Sequence, residues 1–257
     1  MTEFPAALTI AGSDPSGGAG IQMDLRTFAK TGVWGMAVIT ALTAQNAAQV
    51  TGSWPLEPVV VQEQIRSVLE DITPGAVKTG MLANDRIIQV VSEGIAEGIP
   101  LVIDPVMVST SGFRLLDADG INTLCNRLIP EAFLVTPNIP EAEILSGIDT
   151  ISSPEEMEKA GEIIMDMGAE YVLVKGGHGT GHESVDLLIS ERGVISYKAR
   201  RLPYAVHGSG CSFSAAITGY LAQGHTIQTA CEQAKQLISI GIIRAISGKS
   251  GHKIINP

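Results

Sequence analysis

The chain has 257 residues, of which 45% are hydrophobic and 17% charged, and its formal net charge is −10 at pH 7. This length and this hydrophobic content allow a large buried core, and they predict a single domain over residues 1–257. Because a negative chain repels a polyanion and no run of five basic residues occurs, we expect no nucleic-acid partner.

The sequence favours a protein that is neither exported nor inserted in a membrane. The opening residues 1–5 contain an acidic residue and a proline where a signal peptide has a basic region and a long apolar one. No stretch of about 18 consecutive apolar residues occurs, so we expect no membrane span. Cys125, Cys211 and Cys231 are widely spaced and form no C-x-x-C pair, which is typical of reduced thiols. We therefore expect a cytoplasmic protein.

Short apolar runs alternate with amphipathic segments, which predicts a β-α-β order of elements. The predicted strands are 7–10, 36–42, 101–103, 133–135 and 171–174. The predicted helices are 21–30, 59–70, 85–97, 119–128, 139–146, 154–167 and 213–223. Segments 185–189 and 194–199 flank a turn-like stretch and predict an antiparallel hairpin. The fold class is therefore α/β, with a mostly parallel central sheet, helices on both faces and a short antiparallel hairpin.

A glycine-rich loop from Gly12 to Gly20 follows the first predicted strand. Glycines let backbone N–H groups approach a ligand closely, so the loop favours a ligand contact. Gly18 stands where a Walker A loop needs lysine, and the spacing does not fit G-x-G-x-x-G. A flexible turn before a helix explains the same residues, and both interpretations stay open.

A second glycine loop, with Gly208, Ser209 and Gly210, leads into Cys211 and a helix. Its N–H groups and the helix dipole suit an oxyanion or a transferring phosphoryl group, although such a loop is also a common packing solution. Because thiol pKa values are lowered at helix N-termini, we expect Cys211 to be partly thiolate near neutral pH. The residue suits a general base, a covalent nucleophile or a small structural role.

Charged and polar side chains follow three of the predicted strands. Asp104 comes directly after a buried strand, where a carboxylate is costly unless it binds a cation or several donors. Asn138 and Glu141 lie three residues apart on a first helical turn, and their oxygens suit Mg²⁺, often through water. A capping box explains this pair equally well. Lys175 lies beside glycines, where it suits a nucleotide phosphate or a solvated turn.

Polar residues of the amino-terminal half lie where a small substrate would need discriminating hydrogen bonds. They are Asp24, Thr43, Gln45 and Asn46. Two tryptophans, Trp34 and Trp54, are expected to pack in the core or in an interface.

Together these motifs resemble the hydroxymethylpyrimidine and phosphomethylpyrimidine kinases of thiamine biosynthesis, a branch of the ribokinase superfamily. The matching segments are 8–22, 39–46, 78–82, 104–107, 136–142, 175–178 and 207–211. The resemblance implies a ribokinase-like fold with ATP and Mg²⁺ as cofactors. It further implies that ATP phosphorylates the hydroxymethyl oxygen of 4-amino-5-hydroxymethyl-2-methylpyrimidine, its monophosphate, or both in turn.

The resemblance also implies roles for particular residues. Cys211 takes the place of the usual aspartate base, and Gly208, Ser209 and Gly210 complete an anion hole with it. Asp104 and Glu141 would organise Mg²⁺ with the help of Asn138, and Lys175 would meet the phosphates of ATP. The residues that would line the pyrimidine pocket are Gln45, Asp24, Gly12, Ala19 and Met81.

Three positions depart from the pattern of that family. Thr110 stands where lysine is common, Val206 belongs to a segment that replaces a Thr-x-Asn-Thr-His pattern, and Ser209 replaces the commoner threonine. Two alternatives therefore stay open: a pyridoxal or pyridoxine kinase, whose substrate is a similar heterocycle, and a pyrimidine-binding homologue without turnover. A sugar kinase fits less well, because an aspartate would be expected at Cys211. We also expect a homodimer, whose interface the sequence does not specify.

Overall fold

The computed structural model describes residues 4–109, 112–178 and 183–257. Within these ranges the main sheet has nine strands: β1 Ala6–Ser13, β2 Trp34–Gln45, β3 Val50–Pro55, β4 Ala76–Thr79, β5 Leu101–Ile103, β6 Leu134–Val135, β7 Tyr171–Lys175, β8 Glu183–Ser190 and β9 Gly193–Arg200. Their order across the sheet is β3-β2-β1-β4-β5-β6-β7-β8-β9.

The central strands of this sheet are parallel, and both ends are antiparallel. Strands β2, β1, β4, β5, β6 and β7 pair in parallel. Strand β3 pairs antiparallel with β2 at one end, and the β8–β9 hairpin extends the sheet from β7 at the other. The predicted parallel sheet and hairpin are confirmed.

Helices cover both faces of the sheet, as predicted. Their bounds are α1 Gly20–Thr31, α2 Pro58–Asp71, α3 Asp85–Gly94, α4 Ala118–Thr123, α5 Ile139–Ser146, α6 Pro154–Met165, α7 Ser209–Ala222 and α8 Ile227–Ile243. Strand β5 shows the two-sided burial: Leu101 and Ile103 join the core layer under α2 to α6, whereas Val102 joins the layer under α1, α7 and α8. Because both faces are covered, the parallel strands are mostly apolar, and Lys78 and Lys175 are buried exceptions.

A small second sheet brings the carboxyl end of the chain to the start of α7. It consists of β10 Val206–His207, β11 Ile246–Ser247 and β12 Lys253–Ile254, in the order β10-β12-β11. In the part of the chain that the structure describes, no helix is long and apolar enough to cross a bilayer.

Several elements differ from the sequence prediction. Strands β3 and β4, helix α8 and the small sheet were not predicted, and the helix expected over 119–128 divides into α4 and a π-helical turn at Leu124–Leu128. The expectation that the two tryptophans pack in the core is wrong, since Trp34 is 61% exposed and Trp54 is 58% exposed. Trp54 lies on the edge strand β3 opposite Leu42, outside both core layers.

Candidate active site

The two glycine loops of the sequence pack against each other at the start of α7. Gly208 caps this helix with φ +82°, a left-handed conformation that favours glycine. A Cβ on Gly208 would lie 1.8 Å from the carbonyl oxygen of Gly18 in the first loop. Gly20, with φ +58°, is equally tight, since a Cβ there would lie 2.4 Å from the Gly12 oxygen. The glycines therefore bring the two loops into contact.

Asp14 shapes the first loop. Its carboxylate accepts hydrogen bonds from the backbone N–H groups of Ser16 (2.9 Å), Gly18 (3.1 Å) and Ala19 (2.8 Å). Burial opposes ionisation, but hydrogen bonds from His207 and Ser16 hold the pKa of Asp14 below its usual value. Asp14 was not predicted as a site residue, although an aspartate inside a glycine loop is a signal for such loop-capping bonds.

Most of the predicted pyrimidine-pocket residues gather around this first loop. Gln45 Nε2 lies 3.5 Å from Asp14 Oδ2 and 3.4 Å from His207 Nε2. The Met81 sulfur lies beside Gly12, where an added Cβ would be only 2.9 Å away. Gln45, Gly12, Ala19 and Met81 are thus brought together, and His207 joins them from β10.

Asp24 is a correction to the predicted pocket. Its side chain is 0% exposed and lies 2.8 Å from Lys78 Nζ, and the Thr9 hydroxyl donates to the same carboxylate oxygen at 2.6 Å. Burial opposes both charges, whereas the carboxylate of Asp24 holds the pKa of Lys78 above its usual value, so the two form an ion pair. Asp24 therefore binds Lys78 beneath the site and does not line a substrate pocket.

A second buried ion pair lies on the other side of the α7 N-terminus. Lys175 Nζ is 2.8 Å from Asp104 Oδ1, and the Ser214 hydroxyl donates to Asp104 Oδ2 at 3.0 Å. Burial opposes ionisation of Asp104, but Lys175 holds the pKa of this carboxyl below its usual value. A Cβ on Gly210 would lie 3.5 Å from Lys175 Nζ, so the ammonium group is next to the second glycine loop.

Asn138 and Glu141 form the capping box that the sequence left as an alternative. Asn138 Oδ1 accepts from the Glu141 N–H, and Glu141 Oε2 accepts from the Asn138 N–H, both at 2.9 Å. Burial, reinforced by Asp104 and opposed by Lys175, raises the pKa of Glu141 to about 7. A bridge between Asn138 and Lys175 joins this helix start to the second ion pair.

The expectation that Cys211 is partly thiolate near neutral pH is wrong for this arrangement. Burial raises the pKa of Cys211 to about 12; Lys78 opposes the rise, and Asp104 and Asp24 add to it. The helix N-terminus is therefore outweighed by desolvation and two carboxylates. The sequence could not show this, because the carboxylates come from distant segments.

The positions that depart from the family pattern fall in different places. Val206 is buried in the core layer that contains Phe213 and Ile255. Ser209 opens α7. Thr110 lies outside the described residues.

A mostly parallel sheet with a glycine-lined helix N-terminus and buried lysines at its carboxyl edge defines a ribokinase-like small-molecule kinase. Solved structures support this class. Bacillus subtilis pyridoxal kinase in its ADP complex has a TM-score of 0.90 at 33% identity, covering 99% of this chain and 97% of that one. Staphylococcus aureus pyridoxal kinase with AMP-PCP and pyridoxal also gives 0.90 at 33% identity, covering 99% and 94%. Clostridium difficile phosphomethylpyrimidine kinase gives 0.81 at 43% identity, covering 92% and 99%.

Sequence comparison identifies the family within that class. A family model described as phosphomethylpyrimidine kinase matches residues 14–256. The hydroxymethylpyrimidine/phosphomethylpyrimidine kinase of Bacillus subtilis is 42% identical over 96% of this chain and 92% of its own. The thiamine biosynthesis bifunctional protein ThiED of Geobacter sulfurreducens is 42% identical over 98% of this chain, which spans about half (52%) of that protein. The chain belongs to the phosphomethylpyrimidine kinase family, and the predicted family and fold class are confirmed.

Proposed function

We propose that this chain uses ATP to phosphorylate 4-amino-5-hydroxymethyl-2-methylpyrimidine, its monophosphate, or both in turn. The observation that carries the proposal is the α7 N-terminus at Gly208 to Cys211, which lies between Lys175 on one side and the Gly12 to Gly20 loop on the other. The side of Lys175 suits phosphates, and the side of the Gly12 to Gly20 loop suits a small heterocycle. Family membership at about 42% identity supports the same reaction.

The phosphate side consists of backbone N–H groups and one cation. The first N–H groups of α7 carry the positive end of the helix dipole, which favours a developing negative charge. Lys175 adds an ammonium group beside Gly210. Since phosphoryl transfer depends mainly on positioning and charge stabilisation, this arrangement suits the γ-phosphoryl group of ATP.

Asp104 and Glu141 fit a magnesium ion that is shared with ATP. The charge of Asp104 raises the pKa of Glu141, whereas Lys175 lowers the pKa of both carboxyls, so a further cation would stabilise both carboxylates. Among the described residues no three His, Cys, Asp or Glu side chains gather as a metal site, so water and phosphate oxygens would complete the shell. Bound there, Mg²⁺ would neutralise charge on the phosphates of ATP.

Cys211 is the proposed base. Its sulfur accepts the hydroxymethyl proton while the substrate oxygen bonds to the γ-phosphorus and the bond to the ADP oxygen breaks. The base is required as thiolate. Because the pKa of Cys211 is raised, that form is scarce near pH 7, and it becomes more abundant as the pH increases. A small thiolate fraction is sufficient, because phosphoryl transfer depends mainly on positioning and charge stabilisation and only weakly on the base.

The pyrimidine side is held by the first loop. The Gln45 amide oxygen accepts from the Thr43 hydroxyl at 3.4 Å, and its second lone pair suits an amino group of the ring. The Met81 sulfur lies beside Gly12 to pack against an apolar ring face. Asp14 and His207 hold the loop and the amide in place.

The direct test is a substrate panel. Purified protein is incubated with ATP and Mg²⁺ and each of the pyrimidine alcohol, its monophosphate and pyridoxal, and products are identified by mass spectrometry. We expect a phosphorylated pyrimidine product and ADP. Failure with both pyrimidines would overturn the proposal, and tight pyrimidine binding without ATP consumption would favour the non-catalytic homologue.

A pyridoxal kinase is the second candidate, favoured by the two pyridoxal kinase structures with TM-scores of 0.90. Those structures are 33% identical, against 43% for the phosphomethylpyrimidine kinase of Clostridium difficile. The higher identity favours the pyrimidine as the main substrate. Pyridoxal phosphorylation with no pyrimidine product would reverse this preference.

We further infer a cytoplasmic homodimer. The bacterial metabolic kinases in its family support the compartment. Exposed Leu42 and Trp54 are cross-strand partners on β2 and β3 at one end of the sheet, and an exposed apolar pair of this kind supports a protein contact. Analytical ultracentrifugation should give twice the chain mass, and a monomer at micromolar concentration would contradict the dimer.

A further inference from the structure

Arg201 binds the turn that directly follows Lys175. It is the first residue after β9, and its guanidinium group donates to three backbone carbonyl oxygens. These are the oxygens of Gly177, of Gly176 at 3.0 Å and of Glu183 at 3.1 Å. Gly176 and Gly177 come directly after β7, and Glu183 is the first residue of β8. One side chain therefore connects the end of β7 to the start of β8.

A buried carboxylate holds the same turn from its N–H side. The Gly176 N–H donates to Asp186 Oδ1 at 2.9 Å, and Lys235 Nζ of α8 lies 2.6 Å from Asp186 Oδ2. A Cβ on Gly176 would lie 2.0 Å from the carbonyl oxygen of Val185, so the turn packs directly on β8. The backbone of Gly176 is thus fixed by an anion at its N–H and by a cation at its carbonyl oxygen.

The position of the Lys175 ammonium group depends on this backbone. Lys175 is the last residue of β7, and its Nζ lies 2.8 Å from Asp104 Oδ1 and beside Gly210 at the start of α7. A lysine is a point charge on a flexible stem, whereas an arginine is a rigid fork of donors. A fixed turn next to Lys175 therefore limits where its ammonium group can lie.

The geometry points to Arg201 as a positioning residue for nucleotide binding: it fixes the turn after β7, so that Lys175 Nζ stays at the α7 N-terminus, where the phosphates of ATP bind. This inference rests on the proposed function, which assigns ATP to the Lys175 side of α7. Arg201 acts through Lys175 and makes no contact of its own with the nucleotide.

The test measures nucleotide binding without turnover. Calorimetry gives the Kd of the non-hydrolysable ATP analogue AMP-PCP with Mg²⁺, and separately the Kd of the pyrimidine alcohol. We expect the Kd of AMP-PCP to rise about tenfold in Arg201→Met and about threefold in Arg201→Lys, which keeps the charge and loses the fork. The Kd of the pyrimidine should change less than about twofold, because its pocket lies around the first glycine loop.

A double variant separates positioning of Lys175 from a general loss of structure. If Arg201 acts through Lys175, its removal has little further effect once Lys175 is gone. Lys175→Met/Arg201→Met should therefore bind AMP-PCP within about twofold of Lys175→Met alone. Effects that multiply in the double variant would overturn the inference.

Arg200→Met is the matched control, because it removes the neighbouring positive charge from an exposed position on β9. It should leave the Kd of AMP-PCP unchanged. A wild-type Kd in Arg201→Met or Arg201→Lys would overturn the inference, as would an equal loss of nucleotide and pyrimidine affinity or an equal effect of Arg200→Met. Arg201→Lys keeps the test decisive if Arg201→Met does not fold.

The binding experiment also distinguishes this inference from the proposed function. A protein that binds AMP-PCP but phosphorylates neither pyrimidine would overturn the proposed function alone. A wild-type protein that does not bind AMP-PCP would overturn both.

Discussion

Two ion pairs flank the start of α7, and they differ in access to solvent. Each joins a lysine to an aspartate at 2.8 Å, but the side chains of Lys78 and Asp24 are 0% exposed, whereas those of Lys175 and Asp104 are 10% and 3% exposed. The two pairs therefore differ in which of them a ligand could reach. The sealed pair can act only through its field, and the open pair can also touch a ligand.

The difference follows from where the lysines lie on their strands. Lys78 lies within β4, under the packed helices α1 and α7. Lys175 is the last residue of β7, at the carboxyl edge of the parallel strands, where ligands of open α/β sheets collect. Variants of Cys211, of the more exposed pair Lys175–Asp104 and of the sealed pair Lys78–Asp24 should therefore have different effects.

Removal of the proposed base should have the largest effect. Cys211→Ala should lower kcat by roughly 10² or more and leave substrate binding largely intact, because the sulfur is proposed to take the proton only in the transition state. Steady-state kinetics with calorimetric binding would measure both. Cys231→Ala is the matched control. It changes a fully buried thiol on the core-facing side of α8, and it should lower stability and leave kcat unchanged. Near-wild-type turnover in Cys211→Ala would refute the assignment.

The change of kcat/KM with pH should be the next largest effect. Because the pKa of Cys211 is raised to about 12, the thiolate fraction grows with pH, and kcat/KM should rise about tenfold per pH unit between pH 8 and pH 9.5, above the pKa of Glu141 at about 7. The open pair adds no slope there, since the pKa of Asp104 is below and that of Lys175 above its usual value. Residual activity in Cys211→Ala should lack this rise. A flat wild-type profile would contradict the thiolate requirement.

Lys175→Met sharpens the contrast between the pairs. It should raise KM for ATP about tenfold or more, because a charge-assisted contact to phosphate is lost. Lys78→Met should leave KM for ATP nearly unchanged. Equal changes of KM in the two variants, measured by initial rates at varied ATP, would break the comparison.

The smallest effect concerns two capping boxes with the same geometry. Asn138→Ala and Ser153→Ala should each cost about 1 kcal/mol in free energy of unfolding, since each removes a helix N-cap. Only Asn138 lies beside Lys175, so only Asn138→Ala should also lower turnover. Urea unfolding and rate measurements on both variants test this. Equal turnover would assign Asn138 to capping alone.

Local signals predicted much of the fold. Strand β5 and helix α5 begin and end where the sequence places them, because a short apolar run and an N-cap followed by Gly147 are local features. Strand β4 was missed because Lys78 interrupts its apolar pattern. Its burial depends on Asp24, which lies 54 residues away in the sequence.

Local signals also place several predicted site residues near one another, whereas they miss contacts between distant segments. Gln45, Gly12, Ala19 and Met81 converge as expected on the first loop. The environment of Cys211 was misjudged, because the helix N-terminus is a local signal whereas Asp104 and Asp24 reach the thiol only through the fold. Asp24 likewise has its partner, Lys78, in a distant segment, and no local signal indicates that contact.

The central claim is that a pyrimidine alcohol is phosphorylated at the N-terminus of α7, where Cys211 lies. The most direct measurement is a competition in one mixture: equal concentrations of the hydroxymethylpyrimidine and pyridoxal with ATP and Mg²⁺, with both products quantified by mass spectrometry for wild type and Cys211→Ala. The pyrimidine phosphate should dominate in wild type and fall by roughly 10² in the variant. Dominant pyridoxal phosphate, or a variant as active as wild type, would contradict it.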